Sequence, residues 1–208
     1  MRVALVVVVA ALSLSACSTA PAQPLAQSTA PILAPGRPGE PARTISPSEA
    51  ATAVPAPTAN AVDVKYMRDM ISHHRQAIDM AVLAPTRAGS DTLKSLASRI
   101  KDAQGPEIQY MTTWLQQQGQ KAPGHHADHA GMPGMATPAQ MEALRAASGK
   151  EFDQLFLTLM SAHHQGALTM SEEVLIGGSH IKVEELANDV TATQSAEIRR
   201  MQEMLAEL

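Results

Sequence analysis

Met70-Ile71-Ser72-His73-His74-Arg75-Gln76-Ala77-Ile78-Asp79-Met80 recurs ninety positions downstream as Met160-Ser161-Ala162-His163-His164-Gln165-Gly166-Ala167-Leu168-Thr169-Met170. The agreement extends outward at the same offset. Tyr66 corresponds to Phe156. Leu96, Ala97, Ile100, Gln104, Glu107, Ile108, Met111 and Leu115 correspond to Leu186, Ala187, Val190, Gln194, Glu197, Ile198, Met201 and Leu205. An offset that needs no insertion or deletion marks an internal repeat. Each unit reads as two helices. The first is expected over about 63–84, closed by Pro85 and Gly89; its twin is expected over about 150–176, stopped by Gly177 and Gly178. The second starts near Asp91, read as its N-cap, and ends before Gly119, while its twin runs from Ile181 to the C-terminus. Leu93, Ala97, Ile100, Gln104, Glu107, Met111 and Trp114 alternate spacings of four and three, as do Val183, Ala187, Val190, Gln194, Glu197, Met201 and Met204. That is the seam of a helix packed in a bundle. Pro106 removes one backbone donor, so a kink is expected there. Thr137-Pro138 opens a short extra helix to about Ala147. Two hairpins with complementary apolar faces predict an all-α four-helix bundle.

The bundle fills residues 61–208: repeat one over 61–119, a His/Met-rich loop over 120–136, and repeat two over 137–208. Residues 1–16 read as a secretory signal. Arg2 supplies the positive start, and the apolar run from Val3 to Leu14 is too short to span a bilayer as a helix. Leu14-Ser15-Ala16-Cys17 is the pattern of a lipoprotein cleavage site, with Cys17 bearing the lipid; the alternative is a plain signal with an incidental cysteine. Between Pro21 and Pro57 lie nine of the fourteen prolines. With few large apolar residues, 17–60 is read as a disordered tether.

Cys17 is the only cysteine, so no disulfide can form within the chain and no thiolate remains for a metal. The net charge of -4 and aromatic content of 2% give neither a basic stripe nor stacking platforms, which argues against nucleic acid. No nucleophile–base pair, phosphate loop or cofactor motif gives ground for catalysis. Twelve methionines are the unusual feature, serving either as irregular core filler or as soft thioether ligands.

Met67, Met70, His74, Ala77 and Ala81 form the seam of the first helix, matched by Leu157, Met160, His164, Ala167 and Ser171. His74 falls near the centre of the stripe and His73 at its margin, beside Met80. Each hairpin thus brings a His, a Met, a Gln and a Glu to one level of an apolar interior. A buried polar group without a partner costs about 1–3 kcal/mol, so these groups must satisfy one another or bind something. One reading is a closed His–Gln–Glu network that fixes register. The other is a metal site built from His73, His74, His163, His164, Met70, Met80, Met160 and Met170, with Gln104, Glu107, Gln194 and Glu197 as supporting groups or further ligands. The doubled His pair favours the metal, because a register device needs one polar position. The inter-repeat loop carries His125, His126, His129, Met132 and Met135. With no cysteine available, imidazole and thioether together point to copper, since zinc held by histidines would leave the methionines unexplained. His180, near a helix start, reads as a surface residue.

M-x-x-H-H-x-x-A-x-x-M followed by L-A-x-x-[I/V]-x-x-x-Q-x-x-E-I-x-x-M resembles the domain of unknown function 305, an exported bacterial domain, in two tandem copies covering nearly all of 63–208. The resemblance implies a ferritin-like bundle with two helices per repeat. For His73, His74, His163, His164 and the nearby methionines it implies copper binding and tolerance outside the cytoplasm. The expected protein is therefore a copper-binding lipoprotein, held by its lipid at the outer face of the plasma membrane or in the periplasm. A metal-free bundle that binds a protein partner is the alternative. A ferritin-like di-iron oxidase fits poorly, because no Glu-x-x-His occurs and only Glu107 and Glu197 lie in the seam.

Overall fold

A computed structural model of the chain describes residues 32–34, 36, 39–53, 58–124 and 131–208. Residues 1–16, expected to be a secretory signal, Cys17 and the loop histidines His125, His126 and His129 lie outside the described residues. The chain divides into two compact units, Met1–Val54 and Pro55–Leu208.

Within the stretch 17–60, read from the sequence as a disordered tether, the described residues of the first unit include short elements. Strands β1 (Ile32–Ala34) and β2 (Arg43–Ile45) pair antiparallel, with Ile32 opposite Ile45, and a short helix α1 (Pro47–Ala53) follows. A local signal explains α1. Ser46-Pro47-Ser48-Glu49 is a capping box in which the Glu49 carboxylate accepts from the Ser46 backbone N–H at 2.9 Å and Ser46 Oγ accepts from the Glu49 N–H at 3.2 Å. Pro47 takes the first helical position, where its missing N–H costs nothing.

In the second unit four long helices form the expected bundle: α2 (Ala61–Ala81), α4 (Asp91–Gln117), α6 (Gly149–Gly177) and α7 (Ile181–Ala206). Helix α2 packs on α4 and on α6, and α6 packs on α7. The short α3 (Ala84–Arg87) and α5 (Pro138–Ala146) sit in the connections. Helix α2 ends at Ala81, earlier than expected, because Pro85 has no N–H to donate to the Ala81 carbonyl and instead sits in the first turn of α3. The N-cap of α4 is Ser90, whose hydroxyl accepts from the Leu93 N–H at 3.3 Å; Asp91 is the first helical residue. Helix α4 runs through Pro106 without a break. His180 is the N-cap of α7: its Nδ1 accepts from the Lys182 N–H at 3.2 Å, and its ring meets Trp114 edge-on at 5.2 Å.

The apolar interior falls into two clusters. One joins Ala77, Met80, Ala97 and Ile100 to Phe156, Leu157, Met160, Met201 and Met204. The other joins Tyr66, Met67, Met70 and Met111 to Ala167, Met170, Ala187 and Val190. Residues equivalent by the ninety-residue offset always fall in opposite clusters, as with Met70 and Met160 or Ala77 and Ala167. Each cluster therefore takes half of one hairpin and the complementary half of the other. The hairpins are related by an approximate twofold that exchanges the ends of the bundle.

The same exchange governs the turns. Asp63 on α2 is buried, and its carboxylate accepts from the backbone N–H of Ser179 at 3.1 Å, in the turn of the other hairpin, as well as from the Asn60 N–H at 2.8 Å. Its equivalent on α6, Asp153, accepts from the Gly89 and Ser90 N–H groups at 3.0 and 2.9 Å. Gly178 allows the close approach at Asp63, since a Cβ there would lie 2.6 Å from the carboxylate.

Candidate metal centre

Between the two apolar clusters lies a polar layer. Helix α2 supplies His73 and His74, α6 supplies His163 and His164, and all four side chains are fully buried. Gln104 on α4 and Gln194 on α7 join them, each 3% exposed. Glu107 and Glu197, one turn further along the same faces, reach in from the rim with side chains 25% and 16% exposed.

His74 Nε2 lies 2.7 Å from Glu107 Oε2, and His164 Nε2 lies 2.7 Å from Glu197 Oε2. The two hairpins thus make the same pair. Across the approximate twofold the rings of His73 and His163 stack at 3.7 Å between centroids, tilted by 35°. Here the symmetry ends. His73 donates from Nε2 to the Pro133 carbonyl at 3.0 Å, whereas neither ring nitrogen of His163 has a hydrogen-bond partner among the described residues. Loss of solvent pushes the His163 imidazole well below its ordinary value of 6.5, and the neighbouring His73, His164 and His74 push it the same way. A weaker influence from the His73 backbone opposes them. His163 is therefore a neutral imidazole at neutral pH. The Nδ1 atoms of His74 and His164, both amide atoms of Gln104 and the Gln194 carbonyl oxygen are also buried without such partners.

Methionines flank the layer on both sides. Met80 and Met160 belong to one apolar cluster, Met70 and Met170 to the other. Met132 and Met135 are half-buried in the connection between repeats. That connection is fastened beside the histidines by contacts the sequence reading missed. Arg75 donates to the carbonyls of Pro123 at 2.8 Å and Gly124 at 3.0 Å. Gln76 both donates to the Ala136 carbonyl at 2.9 Å and accepts from its N–H at 2.7 Å. Pro133-Gly134 lies directly on α6 at Gly166, where a Cβ would fall 2.0 Å from the Pro133 oxygen. Gly134 itself has φ +74°, a conformation that favours glycine. One signal was available: Gly166 replaces the Gln76 of the other repeat, a loss of side chain where something else must approach.

Among the described residues no three His, Cys, Asp or Glu side chains converge as a ready metal-binding group. The histidines are stacked and paired. What the layer does offer is ring nitrogens of His74, His163 and His164 without hydrogen-bond partners among the described residues, between apolar clusters that contain methionines, a donor set that fits a soft metal ion.

Four helices closed around a buried layer of paired histidines define a class of small bundle proteins. The chain belongs to the family described as Domain of unknown function (DUF305), whose model matches residues 63–205. This single match spans both hairpins. No curated protein matches the sequence. Among solved structures, a DUF305 fragment from Deinococcus radiodurans is 35% identical, with 73% of this chain and 100% of that one covered and a TM-score of 0.67. A DUF305 protein from Streptomyces coelicolor, provisionally described as secreted, is 31% identical over 70% of this chain and 91% of its own, with a TM-score of 0.65. CopM in its Cu(II)-bound form is 34% identical over 70% of this chain and 96% of its own, with a TM-score of 0.61. CopM is also known with Cu(I) and with silver bound.

Proposed function

We propose that this protein is an exported lipoprotein that binds copper through histidine and methionine and buffers it outside the cytoplasm. The observation that carries the reading is His163, a fully buried imidazole with both nitrogens unpartnered among the described residues and three further imidazoles around it. A ligand for those nitrogens that also tolerates thioether neighbours is a soft metal ion, and copper takes both donors. The metal-bound forms of CopM support the choice. In this reading His73, His74, His163 and His164, with Met70, Met80, Met160 and Met170, provide an ordered site. His125, His126, His129, Met132 and Met135 provide loop ligands, and lipid on Cys17 keeps the protein at the membrane. Elemental analysis of protein purified without a metal-affinity tag, joined to a competition titration with a Cu(I) chelator, tests it. Copper retained against the chelator is expected; a protein that yields all copper to a weak competitor overturns the reading. Cys17→Ser should leave a helical domain and release it from membranes, and retention after salt and carbonate washing would end the lipid assignment.

A second reading is favoured by the two His–Glu pairs: a metal-free layer that fixes bundle register while another surface binds a protein. Replacing His74 and His164 together with Met separates the two. Copper affinity falls with little change in stability under the first reading. Under the second, copper is unaffected and each stranded carboxylate costs about 1–3 kcal/mol.

A further inference from the structure

We propose that Glu107 and Glu197 are positioning residues that hold a proton on Nε2 of His74 and His164 and so leave Nδ1 as the metal-binding atom of each ring. The inference rests on the copper reading above and goes beyond it by assigning the donor atoms and the groups that select them. A neutral imidazole carries one proton, and the hydrogen bond made by one nitrogen decides which atom bears it. A carboxylate oxygen at 2.7 Å can only accept, so Nε2 of each histidine is the donor. The opposite ring edge then presents Nδ1, which in both histidines is buried and has no hydrogen-bond partner among the described residues.

Three features separate this arrangement from an incidental ion pair. It occurs twice, at the same separation of 33 residues and the same distance, once in each hairpin. The histidines are fully buried while the carboxylates stay partly in water, so Glu107 and Glu197 sit on the rim side of the rings and Nδ1 faces away from them. The remaining nitrogen, Nδ1, makes no competing hydrogen bond among the described residues in either histidine. Outer carboxylates of this kind fix the orientation and raise the basicity of a metal-binding imidazole, and their loss lowers metal affinity roughly 10–100-fold.

Imidazole nitrogen shifts of the metal-free, 15N-labelled protein read the tautomer directly. His74 and His164 are expected with Nε2 protonated and Nδ1 bare. Glu107→Gln and Glu197→Gln are isosteric changes at half-open positions, and the amide can either donate or accept. The double variant should show mixed tautomers with unchanged helicity, and its Cu(I) affinity should fall roughly 10–100-fold. Cu(I) is diamagnetic, so the same nitrogens can be followed during loading: Nδ1 should shift while the Nε2 proton stays. Protonated Nδ1 in the metal-free protein, or an Nε2 proton displaced by Cu(I), would overturn the assignment and leave copper binding standing. Nε2-protonated rings that do not respond to Cu(I) at all would instead overturn the copper reading, and the ligand assignment with it.

Discussion

His163 occupies a fully buried site where neither ring nitrogen finds a hydrogen-bond partner among the described residues, whereas its twin His73 reaches the Pro133 carbonyl. Each such nitrogen costs about 1–3 kcal/mol of desolvation. His163→Met keeps the length of the side chain and removes that cost. Unfolding of the metal-free variant should show stability unchanged or raised by about 1–2 kcal/mol, while copper affinity falls roughly tenfold or more through loss of a donor. A large stability loss with copper unaffected would make His163 structural. The depressed pKa gives a second test. The unfolded chain takes up a proton near the ordinary value of 6.5, and the folded chain does so only well below it. Its contribution to stability is fully present above about 6.5 and is lost as pH falls toward the folded value. Denaturant unfolding at pH 7 and pH 5 should show a larger loss in the natural protein than in His163→Met. Equal losses would contradict the buried neutral imidazole. The sequence placed His74 and His164 in the seam by spacing alone. The His73–His163 stack was not legible, because it depends on how two helices 90 residues apart meet across the twofold.

The helices themselves were easier to read than their ends. Four-three spacing of apolar residues located α2, α4, α6 and α7, since burial of one face is a property of the helix's own sequence. Turn contacts made by distant side chains leave no such local trace. Asp63 and Asp153 show this: each is a carboxylate near a helix start that satisfies backbone donors of the opposite hairpin's turn. Their ninety-residue correspondence was present in the repeat, but their partners lie 63 to 117 residues away. Asp153→Ala strands the Gly89 and Ser90 N–H groups and should cost about 2 kcal/mol, measured by urea unfolding. Asp63→Ala should cost at least as much, because that carboxylate also completes the capping box of Asn60. A loss within about 0.5 kcal/mol at both sites would show that water replaces the carboxylates freely. The first unit taught the opposite lesson, since Ser46-Pro47-Ser48-Glu49 was a local signal hidden by the proline-rich composition around it.

For the whole molecule, the exchange of halves between the two apolar clusters makes the hairpins mutually dependent. Neither hairpin contains a complete cluster. A peptide of residues 61–119 should therefore lack a stable monomeric fold and show helicity only where it pairs with itself, as circular dichroism against concentration would reveal. Concentration-independent helicity in that peptide would contradict the interlocked core. The crossover between α4 and α6 follows from the same arrangement. Helix α4 ends beside the cluster of Met111 and Trp114, whereas α6 begins beside the cluster of Phe152, so the chain must travel the length of the bundle and passes His73 on the way.

That routing also gives the domain a direction. The chain enters at Asn60, whose side chain donates to Gly177 at one end, and leaves at Leu208, which meets Lys150 at the other. Helix α4 alone, with its 27 residues, measures about 40 Å at 1.5 Å per residue. A reporter fused after Leu208 would therefore stand a full bundle length from the point where the leader joins. Spin labels on cysteines introduced at Thr58 and Glu207, with Cys17 replaced, should give a distance distribution centred near about 40 Å. A centre below about 25 Å would place both termini at one end and contradict the crossover.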